Sequence, residues 1–455
     1  MKVSIEYGRT GLRFVLPDDA DVTLVRPSFV PGATDQVAAV RDALRNPVGT
    51  DALSRSARSS DTVGIVFSDI TRATPYHVML PPLLEELAAA GIPDRQIAFF
   101  GATGTHRANT TEELVTILGQ AVVERFEIIQ NDCNDAASHR VVGTTRGGNR
   151  IELLSRFLDC DIKIPTGFIE PHFFAGMSGG GKAIMPGLAS LGTVQRNHSA
   201  VHMDHPQVRW GVTEGNPLWE EVRQAALMSE PTFILNVAMN RDKDVTAVFA
   251  GDFIEAHKSG CAYVVENAMA PVDVEFDIVI TSNSGYPLDL NLYQSVKGMS
   301  AAAQVVRSGG HIIMAADCWD GIPDHGAYGK LLAGAESPEE LLATIRRPGF
   351  AAPDMWQAQI HALVCQRATV HFYTKNLSNE QLRSSFLVPC ADVSERVREL
   401  VEEMGGSARI CVLPEGPLTI PYLRAAPRRE PDATAPEAPH EADRQSRPSP
   451  GRTSA

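Results

Sequence analysis

The stretch GMSGGGKA, residues 176–183, sets three consecutive glycines directly before Lys182. It fits the opening of G-x-x-x-x-G-K-[ST], the loop with which many nucleoside-triphosphate enzymes hold phosphates. The position after the lysine argues against that chemistry. It must carry a hydroxyl to ligate Mg²⁺, and here it is Ala183. Such a loop also follows directly on a buried strand, whereas FIEPHFFA precedes Gly176. The physics of glycine still applies. Without Cβ atoms, Gly179, Gly180 and Gly181 let backbone N–H groups approach the phosphate of some other cofactor. Lys182 could clamp a phosphate, form a Schiff base or serve as an attachment point.

Four further stretches carry groups suited to catalysis or binding. SDITRATP places Asp69 and Arg72 after an apolar run. Arginine forks onto carboxylates and phosphates, although an Asp–Arg pair closing the loop is an equally simple reading. GATGTHR places His106 among small residues, where an imidazole could move protons near neutral pH or merely bond to backbone. His172 lies just before the glycine run, and His198, His202 and His205 follow it in NHSAVHMDHP. The spacing of His198 and His202 suits a metal on one helix face, but no Glu stands where a zinc hydrolase needs it. One of these histidines as a ligand is the simpler expectation. LYQSVKGM brings Tyr293, Gln294 and Lys297 to the start of a helix, a place that suits an anion.

These groups need a scaffold, and the chain is long enough to build one. It has 455 residues, 44% of them hydrophobic, and a net charge of −14. The acidic balance argues against a nucleic-acid partner, so an anionic substrate needs local Arg or Lys. The seven cysteines are scattered and never C-x-x-C, which gives neither a disulfide framework nor a cysteine-rich zinc site. No secretory signal or membrane-length apolar stretch is evident, and a cytoplasmic protein is expected. Apolar strand-like runs at 62–69, 96–101, 126–132 and 160–166 alternate with helix-like segments at 78–91 and 110–119. A second such series includes a strand and turn over 276–287, a helix over 292–310, and strands at 311–317, 368–374 and 408–414. This rhythm predicts an α/β protein with two α/β domains and mostly parallel sheets, ligands binding beyond the carboxyl ends of the strands. The expected boundaries are 1–270 and 271–426. A Pro-rich segment without large apolar residues, 427–455, is expected to be disordered.

Taken in order, the motifs resemble the nickel-dependent lactate racemase family over roughly residues 1–425. They are D-x-T-R-x-T-P from Asp69, G-T-H-R ending at Arg107, P-H-F-F-A-G-x-S-G-G-x-K from Pro171 to Lys182, a histidine at 198, and Y-Q-x-x-K from Tyr293 to Lys297. The resemblance implies a cleft between two domains and a 2-hydroxy acid racemase or epimerase. It implies a nickel-pincer nucleotide, a pyridinium-3,5-bisthiocarboxylic acid mononucleotide, joined covalently to Lys182 with its phosphate in the glycine loop and Asp69 among its contacts. It further implies nickel on His198, and His106 and His172 as an acid/base pair. The substrate would be held by Arg72, Tyr293, Gln294, Lys297 and, by a less direct match, Trp356. Separate maturation and nickel-insertion proteins would load the cofactor. Two other readings stay open on the sequence: a phosphate-ligand-binding protein without cofactor, and an ATP-using enzyme built on the glycine loop.

Overall fold

Two six-stranded sheets organise the computed structural model, which describes residues 1–324 and 326–424. The first sheet runs, edge to edge, Val245–Gly251, Ile234–Met239, Ile162–Phe168, Val63–Ser68, Ile97–Ala102 and Glu127–Gln130. All its neighbouring strands are parallel except the hairpin of the first two. The second runs Val388–Pro389, Ala368–Tyr373, Val306–Ala315, Phe276–Ser282, Arg409–Leu413 and Asp21–Leu24, parallel throughout. The protein is therefore α/β with mostly parallel sheets, as the alternation of apolar runs predicts. Its strands are buried on both faces by helices, which explains why Val63–Phe67 reads as an unbroken apolar run.

The element boundaries differ from the sequence reading in two instructive places. The helix expected over 292–310 ends at Ala302, and the strand begins at Val306 rather than 311. Its alanine-rich end carries no stop signal, and the residues from Val306 are recruited into the sheet. The first 25 residues do not join the sheet that follows them. Asp21–Leu24 adds to the edge of the second sheet beside Arg409–Leu413, and the hairpin Lys2–Ile5/Leu12–Val15 supplies part of the second sheet's core. Short strands carry no mark of which sheet they complete, so a unit starting at residue 1 cannot be read from alternation alone. The chain crosses back near residue 270, where Met269–Val272 pairs with Ile420–Leu423. Met1–Leu423 packs as one compact unit. The segment 427–455 lies outside the described residues.

The carboxyl ends of Val63–Ser68, Ile97–Ala102 and Ile162–Phe168 lead directly into SDITRATP, GATGTHR and EPHFF. Between the last of these and Lys182, the short hairpin Pro171–His172/Gly176–Met177 reverses the chain. Gly176 has φ +76°, and a Cβ there would sit 1.9 Å from the Val212 carbonyl oxygen. Gly176→Ala is therefore expected to lower stability by at least about 2 kcal/mol. Thermal or urea denaturation checks this; an unchanged midpoint would show that the hairpin is not fixed by this contact.

Candidate active site

The first two glycines of the run pack too tightly for a side chain. Gly179 and Gly180 have φ of +71° and +51°, and a Cβ on Gly180 would meet the His257 ring at 2.5 Å. The Gly180 N–H donates to Asn236 Oδ1 at 2.9 Å, so one of the loop's amides already has a protein partner. The run leads into one turn of 3₁₀ helix, Gly180–Ala183, rather than the long helix that a triphosphate loop opens. The local geometry thus departs from the ATP reading. It gives the glycines a packing reason against the Ile234–Met239 strand and the Glu255–Ala268 helix.

Lys182 turns toward the aromatic side chains of the preceding hairpin, its Nζ lying 5.6 Å from the Phe174 ring centre. Burial pushes its amine well below the ordinary lysine range. The charges of Arg72 and Lys297 push the same way, and Glu170 opposes them. Lys297, on the helix Leu292–Ala302, is lowered to about 8 by burial and then by Arg72. Arg72 reaches Glu170 at 3.5 Å rather than pairing with Asp69. Three basic side chains from three separate segments thus act on one another across a half-buried space, with Glu170 as the carboxylate that answers them. Such an excess of positive charge is costly unless an anion occupies the site.

The three histidines differ in the nitrogen that hydrogen bonding leaves available. His106 is exposed, with Nδ1 2.6 Å from Asp69 Oδ2. Burial raises the Asp69 pKa, but bonds from His106 and Thr71 outweigh it and hold the carboxyl below its usual value. An ionised Asp69 accepts from Nδ1–H, which leaves the Nε2 lone pair of His106 facing outward. Asp69, expected among the cofactor contacts, has its carboxylate engaged by His106 and Thr71. His198 is buried at the end of the helix Leu191–Asn197, and its Nδ1 donates to the Val194 carbonyl at 3.2 Å. Its Nε2 therefore carries a free lone pair, the arrangement a metal-binding imidazole needs. Burial, then Lys182, pushes the His198 pKa down to about 3. His172 is reversed. Its Nδ1 accepts the Ala175 N–H at 3.2 Å, so the neutral ring holds its proton on Nε2. Burial and the nearby cations keep it neutral.

Phe174 links these groups: its ring contacts those of His172 at 4.5 Å and His198 at 5.1 Å. Trp356 closes the other side of His198, 5.2 Å away and edge to face. Tyr293 bonds to Asp354 at 3.3 Å, and burial followed by that carboxylate raises its pKa. Gln294 lies on the first turn of its helix, one turn before Lys297. The expected residues therefore cluster at strand ends of the first sheet and on two helices of the second. His202 does not share a helix with His198, because the chain breaks at Ser199 and His202 bonds to the Asn197 carbonyl. Among the described residues, no group of three or more His, Cys, Asp or Glu side chains is placed to hold a metal. Glu170, Asn236 and Phe174 were not singled out from the sequence. Glu170, a carboxylate two residues before His172, and Phe174, inside the P-H-F-F-A-G-x-S-G-G-x-K motif, had usable signals; Asn236 had none.

An α/β scaffold with cations and histidines gathered beyond its strand ends suits a small anionic ligand. Residues 7–211 match the lactate racemase N-terminal domain family, and residues 272–420 the lactate racemase C-terminal domain family. The lactate racemase of Thermoanaerobacterium thermosaccharolyticum is 34% identical over 420 residues, 91% of this chain and 97% of that one. That of Lactiplantibacillus plantarum is 36% identical over 379 residues, 83% of this chain and 89% of that one. The solved lactate racemase apoprotein of T. thermosaccharolyticum superposes with a TM-score of 0.86 at 33% identity, covering 93% of this chain and all of that one. A Thermotoga maritima structure at 19% identity, TM-score 0.62, shares the fold. This chain belongs to the lactate racemase family and is an isomerase.

The depressed Lys297 sets a pH limit. Its ammonium is present below about pH 8 and lost above it, so a carboxylate should bind the unloaded protein best below that value. Affinity for oxalate, measured by calorimetry, is expected to fall by up to about tenfold per pH unit above it. A flat profile up to pH 9.5 would remove Lys297 from anion binding.

Proposed function

We propose that this protein racemises a 2-hydroxy acid by proton-coupled hydride transfer, with lactate, the acid named for its relatives, as the first candidate. The observation that carries the reading is the meeting of an anion-seeking cation cluster with three differently bonded histidines. Arg72 and Lys297 would hold the substrate carboxylate, with Tyr293, Gln294 and Trp356 shaping the second wall. Removing the C2 proton would place a carbanion beside a carboxylate. Removing hydride gives a neutral ketone, but no side chain accepts hydride.

The residues suit the nickel-pincer nucleotide implied by family resemblance. Burial shifts Lys182 toward the neutral amine that a covalent attachment requires, and His198 would offer its free Nε2 to nickel. The positive cluster suits a phosphate and thiocarboxylate arms, with Gly179 and Gly181 lining the same turn. When bound, this group supplies a reversible hydride acceptor. Loading it would depend on dedicated maturation and nickel-insertion proteins.

The proton work belongs to the histidines. His106, held by Asp69, offers its Nε2 lone pair to a substrate hydroxyl. His172 offers Nε2–H to the substrate oxygen on the other face. To act as a base for the opposite enantiomer, His172 must move its proton to Nδ1, which costs the bond from Ala175. The two directions therefore start from unlike histidine states.

Chiral chromatography of lactate turned over in D₂O by cofactor-loaded protein tests the reading. The product should keep hydrogen at C2, while His106→Ala and His172→Ala should each lose at least about 100-fold in rate. Complete deuterium incorporation at C2 would overturn hydride transfer. Near-wild-type turnover by either variant would remove that histidine from the mechanism.

A further inference from the structure

A second cavity opens beside the cation cluster. It encloses about 200 Å³ and is walled by the crossing segment around Phe29, the strand end Phe168–Pro171, Met239, Val264 and Leu418. The lining is mostly apolar, although Asn240, Arg241 and Glu415 stand at it as well. Arg241 is drawn off by Glu415 at 3.6 Å and lies over the Phe29 ring, so its charge is partly answered. None of His106, His172, Lys182 or His198 lines the cavity. The connection is Glu170. It lines the cavity, its carboxylate reaches Arg72 at 3.5 Å, and His172 lies two residues on.

We propose that this cavity receives the C3 substituent of the substrate, and that the substituent is apolar and uncharged. The inference rests on the reading that Arg72 holds a 2-hydroxy carboxylate. A carboxylate seated at Arg72 lies next to Glu170, and the part of the molecule directed past Glu170 enters the apolar space. A second carboxylate there would meet the charge of Glu170 and lose its hydration to apolar walls. A phenyl or branched alkyl group fits by size, since an apolar cavity of roughly 150 Å³ suffices for benzene. Glu170 is thus a specificity-determining residue. It balances the cations when no substrate is present and disfavours dicarboxylic hydroxy acids.

The test compares kcat/KM for lactate, 3-phenyllactate and malate using cofactor-loaded, full-length protein. Wild type should use 3-phenyllactate at least as well as lactate, and malate at least about tenfold worse than lactate. Thr246→Phe, or Ala268→Leu if the first folds poorly, places bulk at the cavity wall. Either should cost 3-phenyllactate about tenfold while sparing lactate. Glu170→Gln should narrow the malate gap severalfold. Equal losses for lactate and 3-phenyllactate in the filled variants, or malate turned over like lactate by wild type, would overturn the proposal. If no 2-hydroxy acid is racemised, the parent reading fails instead. The cavity is then decided by whether 3-phenyllactate raises the melting temperature of wild type but not of Thr246→Phe; an equal shift in both, or none in either, counts against it.

Discussion

Positive charge without enough negative charge to answer it is the constraint around which this site is arranged. Arg72, Lys182 and Lys297 come from different loops and helices, and burial makes both lysines costly to keep ionised. Glu170 answers the cluster only in part, through its 3.5 Å contact with Arg72. The protein meets the remaining cost by pushing both lysines toward neutrality. A bound anion would reverse that shift. The same depression favours the neutral amine of Lys182, the form a nucleophile needs.

The rest of the site follows from close packing around that cluster. The glycine run is held against Asn236 and His257 and brings Lys182 to the Phe174 ring. Phe174 in turn sets the spacing of His172 and His198. Each histidine is committed to one tautomer by a single local bond: a carboxylate for His106, a carbonyl for His198, an amide N–H for His172. One residue type thereby presents two bare Nε2 atoms and one Nε2–H. The difference resides in the backbone and carboxylate neighbours rather than in the imidazoles.

Much of this was legible in the sequence because parallel strands buried on both faces read as plain apolar runs and end in polar loops. SDITRATP, GATGTHR and EPHFF each follow such a run, and the structure sets them side by side. What sequence could not supply were relations between distant segments. That the Asp69 carboxylate lies 2.6 Å from His106 Nδ1 is one such relation. Arg72 could pair with Asp69 on proximity in sequence, yet Glu170 takes it. The strand Asp21–Leu24 completes the sheet formed by the last third of the chain, a pairing no local pattern encodes. His198 and His202 have helical spacing, but Ser199 ends one helix and begins the next.

In the proposed function, Lys182 carries a covalent cofactor while His198 only binds its metal. Intact-mass spectrometry with metal analysis, after co-expression with maturation and nickel-insertion proteins, tests it most directly. Wild type should show added mass and nickel, and Lys182→Arg should show neither, because a guanidinium keeps the charge but cannot form the link. His198→Ala should keep the organic adduct and lose nickel. An unmodified but active wild type, or a fully active Lys182→Arg protein, would contradict the account and leave Lys182 as a charge that holds a phosphate.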